Sequence, residues 1–519
     1  MSVTTDAVLH CGARSITRDE LKQRSLTAAS GLQAIGVMPG QAVALLLRND
    51  FAFFEASFAA TAIGAYALPI NWHLAAAEIT YVLNDSQAKV LIAHSDLLNA
   101  IPDIVASARR AGVTILYVAT PAESRAAAGL DETACAVPTG ASEWNDWLNG
   151  YEPLEALHGQ LTETMIYTSG TTGKPKGVRR VPQSREHAAE FAKIRDQIYG
   201  IRAGSRAIVP GPLYHSAPNS FGLRASQRSS CLVLMPRFDT EVFLQQVAQH
   251  RISNVFMVPT MLVRLLKLPQ AVREQYDVTS LEHVTIAAAP CAPDIKRAII
   301  EWWGPVVHEF YGATEMGYMT ACTSKESLQR PGTVGRAVSG ATIKALDEAG
   351  EEVPVGEAGE LYGRLSLFPD FTYNNRAQER AAIERDGLIT CGDVGYFDDD
   401  GYLYLCDRRR EMVISGGVNI YPAEIESVLV GMPGILDCAV IGIPDEEFGE
   451  SLLALVQPVM DADRVPTQPQ MIAWLRERLA GFKVPRQIEF RTELPRDDSG
   501  KIYKRHLREP YWQDQQRRI

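Results

Sequence analysis

Short, mostly apolar β-rich runs alternate with helical patterns. Val43-Ala-Leu-Leu-Leu47, Val90-Leu-Ile-Ala93, Val113-Thr-Ile-Leu-Tyr-Val118, Arg206-Ala-Ile-Val209, Cys231-Leu-Val-Leu-Met235 and Asn254-Val-Phe-Met-Val258 each predict a strand. Between the first two, Phe51 to Ile63 predicts a helix. Apolar runs of this length without polar alternation suit strands buried on both faces, and strands interleaved with helices give α/β layering. The segment Ala122 to Ser142 is rich in Ala, Thr, Gly and Pro and weakly periodic, which predicts a surface excursion.

The texture changes after about residue 340. Glu360-Leu-Tyr-Gly-Arg364, Gly401-Tyr-Leu-Tyr-Leu405 and Met412-Val-Ile-Ser415 read as short strands separated by Gly and Asp turns, with Asp398-Asp-Asp-Gly401 as a hairpin turn. From Tyr421 the pattern is helix (422–429), strand (438–443), strand (452–458), helix (468–479), enough for a separate domain. The fold expected is α/β: a large domain, residues 1–409, of layered sheets and helices with a β-rich subdomain, and a small mobile α+β domain, residues 410–519.

Composition narrows the classes. The chain has 519 residues, 46% hydrophobic and 22% charged, which is ordinary for a multidomain globular protein. A net charge of −11 without a basic block argues against nucleic acid as a partner. Eight scattered cysteines include no C-x-x-C pair, which suits free thiols in a reducing cytoplasm. The start has no basic region leading an apolar stretch, so no signal peptide is expected. The most apolar segment, Phe51 to Ile70, is broken by Glu55, Gly64 and Pro69 and predicts no transmembrane span. Whether the chain forms a homo-oligomer is left open.

Candidate chemistry centres on Tyr167-Thr-Ser-Gly-Thr-Thr-Gly-Lys-Pro-Lys-Gly177. Glycines let backbone N–H groups approach closely, hydroxyls add donors and lysines add charge, a combination suited to a polyphosphate. The spacing is not that of the G-x-x-x-x-G-K-[ST] loop. Four more segments are richer in functional groups than packing requires: Tyr311-Gly-Ala-Thr-Glu315, Thr390-Cys-Gly-Asp393, Asp407-Arg-Arg-Arg410, and Leu494-Pro-Arg-Asp-Asp-Ser-Gly-Lys501. Taken singly, the first could be a turn opening a helix and the others solvated turns. No G-x-S-x-G, H-E-x-x-H or G-x-G pattern is present.

In this order, over the span from Ser15 to Arg508, these motifs resemble the adenylate-forming superfamily of acyl-CoA synthetases, peptide-synthetase adenylation domains and beetle luciferases. The resemblance implies that a carboxylate attacks the α-phosphate of ATP, giving an acyl-adenylate and pyrophosphate, and that a thiol then displaces AMP. It implies that Thr168, Ser169, Gly170, Thr171, Thr172, Gly173 and Lys176 hold phosphates, that Glu315 binds Mg²⁺ with Thr168, and that Lys501 reaches the carboxylate and the α-phosphate. Tyr311, with Gly312, Thr314 and Ala289 around it, would stack on adenine, and Asp393 and Arg408 would hold the ribose. His215, in Gly211-Pro-Leu-Tyr-His-Ser-Ala-Pro218, would stand near the acyl carboxylate. The hairpin around Gly416 and Gly417 would admit the arm of coenzyme A. Arg410 would be the hinge, where the family often has Asp or Lys.

The segments that form the acid pocket in such enzymes, around His215, 255–260, 287–290 and 312–319, are apolar, with no Lys or Arg for a second acid group and no Asp for an amine. A hydrophobic small-molecule carboxylic acid (fatty, aryl or polycyclic) is therefore expected, as in bacterial fatty- or bile-acid-type CoA ligases. Free coenzyme A is the expected acceptor. A separate carrier protein as acceptor, and a non-catalytic nucleotide binder, are the alternatives.

Overall fold

The mostly apolar runs become parallel strands because both of their faces are covered. The computed structural model describes residues 7–168, 175–416, 418–445, 447–459, 465–496 and 502–512. The chain divides into two compact units, one of Met1–Met257, Leu268–Thr285 and Leu365–Glu384, the other of Val258–Lys267, Ile286–Arg364 and Arg385–Ile519.

The first unit holds two parallel sheets. In one, the strands run in the order Tyr66–Pro69, Ala42–Leu46, Val90–His94, Thr114–Val118, Ser142–Glu143. The other places Asn254–Met257, Arg206–Val209, Cys231–Leu234 and Val8–Cys11 side by side in parallel, with Arg14–Thr17 antiparallel beyond them. Every residue of Ala42–Leu46, Val90–His94 and Cys231–Leu234 is buried, as strands sandwiched between helices require. The helix Phe51–Ala62 is buried almost all round. Its one carboxylate, Glu55, takes bonds from Arg24 and from Trp144 Nε1 at 2.6 Å, so a buried charge is satisfied inside protein. No helix among the described residues is long and apolar enough to cross a membrane.

The segment 122–142 is mostly exposed, as a surface excursion should be, but it holds a helix that the weak periodicity does not show. Ala122–Ala128 is a helix that starts after Pro121 and ends at Gly129 with φ 64°. Its four alanines form helix on intrinsic propensity, which leaves no amphipathic period to read.

The second unit is mainly antiparallel. Val307–Ala313 pairs with Gly317–Cys322, and Leu388–Phe397 pairs with both Gly359–Leu365 and Leu403–Arg408. The C-terminal segment has its own core, in which Ile435–Asp445 and Gly449–Pro458 form a long hairpin beside Val413–Ser415. Gln487–Phe490 adds in parallel, and the helices Pro422–Val430 and Gln468–Arg476 supply core residues including Ile425, Leu429, Met471 and Leu475. The α/β class, with an α+β C-terminal portion, is what the alternation of patterns predicts.

Candidate active site

Tyr311-Gly-Ala-Thr-Glu315 does not open a helix. It ends one strand and turns into the next, with Tyr311 opposite Thr320 and a bulge between Tyr311 and Gly312. Gly312 is required by close approach: a Cβ there would lie 2.1 Å from the carbonyl oxygen of Gly317. This hairpin presents Tyr311 and Glu315 to the strand Leu388–Phe397. The Tyr311 hydroxyl donates to Asp393 Oδ2 at 2.9 Å, and Arg408 Nε stands 3.4 Å from Asp393 Oδ1. Asp393 and Arg408 are directly opposed in the antiparallel ladder, which fixes their pairing through the backbone. Burial, then the Asp393 charge, pushes the Tyr311 phenol well above its ordinary range, so it stays a donor. The Arg408 guanidinium is held charged by Asp393 and Glu411, against the opposing effect of burial.

Glu315 is buried, and the Cys391 thiol approaches its Oε2 at 3.7 Å. Burial and the Glu315 and Asp393 charges push that thiol well up, so it remains protonated beside the carboxylates. A carboxylate held by a weak thiol donor is an oxygen ligand suited to a hard cation such as Mg²⁺. Gly392, with φ 78°, turns the strand between Cys391 and Asp393, and its N–H is fixed by Thr390 Oγ1 at 2.9 Å. Ala289 follows Ala288, which sits at φ 76°, a conformation costly for a residue with a Cβ.

In the other unit, Thr168 and Lys176 are opposed across the hairpin Ile166–Thr168/Lys176–Arg180, so the backbone ends of the expected phosphate loop are clamped together. Gly177 passes under Tyr167, where a Cβ would lie 2.7 Å from the ring. The Tyr167 hydroxyl is fixed on Asp85 Oδ2 at 2.7 Å. Lys176 is buried, its ammonium 2.6 Å from Glu379 and over the Tyr373 ring. Ser169, Gly170, Thr171, Thr172 and Gly173 lie outside the described residues, as do Gly417 and Lys501. His215 occupies the N-cap position of the helix Ser216–Arg228 without a side-chain capping bond, and its ring packs on Tyr214, centroids 4.4 Å apart. Gly416 has φ 57° and its N–H donates to Phe448 O at 2.8 Å. The backbone carbonyls of Arg410 and Glu411 each accept from Arg508 at 2.9 Å.

The structure therefore brings Tyr311, Asp393 and Arg408 into one bonded group and sets Glu315 against Cys391. It also adds residues that sequence reasoning missed: Cys391, Glu379 and Arg508. Glu379 and Arg508 meet Lys176 and the 410–411 turn only through contacts distant in sequence. Cys391 could have been suspected from its place in Thr390-Cys-Gly-Asp393.

A family model described as AMP-binding enzyme matches residues 3–366, and one described as AMP-binding enzyme C-terminal domain matches residues 424–501. The chain belongs to the AMP-binding enzyme family. Among curated relatives, the AMP-binding enzyme is similar to the long-chain-fatty-acid–CoA ligase FadD13 of Mycobacterium tuberculosis, 33% identical over 93% of this chain and 90% of that protein. It is likewise 33% identical to a feruloyl-CoA synthase of Amycolatopsis sp, over 98% of this chain and 96% of that protein. Among solved structures, ATP-bound MatB from Rhodopseudomonas palustris superposes with a TM-score of 0.83 at 26% identity, covering 99% of this chain and 97% of that one. The AMP-binding enzyme is an adenylate-forming ligase of the acyl-CoA synthetase type.

Proposed function

We propose that the AMP-binding enzyme activates a hydrophobic carboxylic acid with ATP and transfers the acyl group to coenzyme A. In the first half-reaction a carboxylate oxygen bonds to the α-phosphorus as the bond to pyrophosphate breaks. In the second a thiol sulfur bonds to the acyl carbon as AMP leaves. The observation that carries this reading is the Tyr311–Asp393–Arg408 group, an aromatic face joined to a carboxylate and a guanidinium held at 2.9 and 3.4 Å. An aromatic face suits a base, and a fixed carboxylate suits the paired hydroxyls of a ribose.

The first half-reaction sets anion against anion, so charge neutralisation is the central task. Mg²⁺ held by Glu315 would neutralise phosphate charge. The backbone and hydroxyls from Thr168 to Gly173 would hold the phosphates, and Lys501 would carry positive charge to the reacting oxygens. Lys176, occupied by Glu379, acts in this reading as the brace that fixes the end of the loop. We place the boundary between large and small domains at Arg410. Val255, Phe256, Met257 and Val258, which the resemblance assigns to the acid pocket, are apolar and buried and support a hydrophobic acid, and the fatty-acid and feruloyl ligases among the relatives support the same class. All eight cysteines are free, in keeping with a cytoplasmic setting.

The test is pyrophosphate release across a panel of fatty, aryl and polycyclic acids, then thioester formation with coenzyme A or a carrier protein as acceptor. Lys501→Ala should stop adenylate formation while sparing thioester formation from a supplied acyl-adenylate. Equal loss of both half-reactions refutes the role given to Lys501.

A further inference from the structure

Three donor side chains to which the candidate active site gives no role converge in the first unit. Val8 and Cys231 are directly opposed in their parallel strands, so His10, two residues along from Val8, lies on the same sheet face as Cys231. The helix Thr240–His250 ends with His250 at the same place, where Arg251 leaves it at φ 46°. Arg206, opposite Cys231 on the next strand, bonds the His250 carbonyl and fixes that helix end. A nitrogen of His10, the thiol sulfur of Cys231 and a nitrogen of His250 all lie within 4.8 Å of one another. The two imidazoles meet ring to ring at 4.8 Å, and no hydrogen bond among the described residues holds either ring or the thiol. Two adjacent imidazoles in mutual contact gain little from each other without a shared partner.

We propose that His10, Cys231 and His250 form a binding site for one borderline divalent transition-metal ion, Zn²⁺ in the first instance. Imidazole and thiolate are the donors such an ion selects, and hard Mg²⁺ avoids them. Zn–N of about 2.0–2.1 Å and Zn–S of about 2.3 Å set tetrahedral donors roughly 3.3–3.7 Å apart. The three donors must therefore close by about an ångström, within reach of side-chain rotation since both histidines are only half-buried. A solvent molecule completes the fourth position. Binding displaces the Cys231 thiol proton to solvent and changes no oxidation state. Burial and the Arg206 charge lower both imidazoles from their ordinary value, while burial raises the Cys231 thiol against the Arg206 charge. The same charge opposes the incoming cation, so the site is a modest one in which the thiolate ligand offsets Arg206. No spacing motif announces it, because its ligands stand on an N-terminal strand, a distant strand and a helix end. The bound ion would staple the strand pair Val8–Cys11/Arg14–Thr17 to the sheet.

The experiment uses tag-free, full-length protein without nucleotide, titrated with Co²⁺ and then with Zn²⁺ in excess Mg²⁺. The expected result is one Co²⁺ per chain, with four-coordinate visible bands and a near-ultraviolet thiolate charge-transfer band, displaced by Zn²⁺ and not by Mg²⁺. Cys231→Ser should abolish the charge-transfer band. His10→Gln and His250→Gln, at half-exposed positions, keep the test open should Cys231→Ser fail to fold. Each should weaken Zn²⁺ binding by at least the roughly 10–100-fold that losing even an outer-shell partner costs. Absence of the charge-transfer band in the wild type, or unchanged affinity in both histidine variants, overturns the proposal. The readout is independent of ligase activity.

Discussion

Tyr311 and Asp393 offer a test of how the nucleoside group is organised. The Tyr311 hydroxyl donates to Asp393 at 2.9 Å, and the carboxylate also faces Arg408 at 3.4 Å. A hydrogen bond to a charged group contributes about 1.5–3 kcal/mol, and a neutral one about 0.5–1.5. Asp393→Asn keeps the shape and loses the charge, so in the proposed ribose-holding role the bond that each of two hydroxyls would donate weakens by about 1–1.5 kcal/mol. The sum, about 2–3 kcal/mol, is roughly a 30–150-fold fall in kcat/KM for ATP. Tyr311→Phe keeps the aromatic face and removes only the bond that orients the carboxylate. That bond goes to a carboxylate, so about 1.5–3 kcal/mol is at stake, which caps the fall at roughly 10–150-fold. If Tyr311 orients the sugar only through Asp393, the double variant is no worse than Asp393→Asn alone. ATP–pyrophosphate exchange on the four proteins gives the cycle directly. Losses that multiply in the double variant would show that the two side chains act independently and would refute this account.

Further outcomes follow from the same geometry. Gly312→Ala should disrupt the hairpin, because its Cβ would fall 2.1 Å from the Gly317 oxygen. Pyrophosphate release should then drop more than about tenfold, with a lowered melting midpoint by circular dichroism, since neither strand can give way cheaply. Burial lowers the Lys267 ammonium to about 8 from its ordinary 10.5, where it donates to the carbonyls of Ile435 and Leu436. A folded-state value below the unfolded one means the unfolded chain binds more protons between those pH values. Stability to urea should thus rise from about pH 8 toward 10.5 and be flat below; the rise should be slight, because only the ammonium end is shielded against the two carbonyls while the residue as a whole is open to solvent, and Lys267→Met should remove it. Arg508→Ala frees the Arg410 and Glu411 carbonyls, so trypsin should cut the Arg408–Arg410 turn faster than in the wild type, as read by a cleavage time course.

Much of the fold was legible because burial on both faces erases polar alternation. Ala42–Leu46 and Val90–His94 could be marked from composition alone, nearly to the residue. Ala122–Ala128 could not, because a short helix of small residues carries no stripe. At the site, Tyr311, Glu315, Asp393 and Arg408 stand in recognisable motifs, and three of the four are bonded to one another. What the motifs do not carry is the partner of each charge. Nothing local to Lys176 points to Glu379, and nothing local to Arg410 points to Arg508. Such partners are set by the topology that brings distant strands and turns together. His10, Cys231 and His250 are invisible in the sequence for the same reason.

The strand Val8–Cys11 also constrains how the chain can be made. Its parallel neighbour is Cys231–Leu234, so during synthesis it emerges long before the edge it must join. Until that neighbour leaves the ribosome, only the turn to Arg14–Thr17 can shelter it, and a lone two-stranded ribbon is marginal in water. A segment made well before Cys231 is thus among the later pieces of its sheet to settle. Nascent chains stalled before Cys231 should leave this end open to proteases or chaperones, and those stalled well after Leu234 should not.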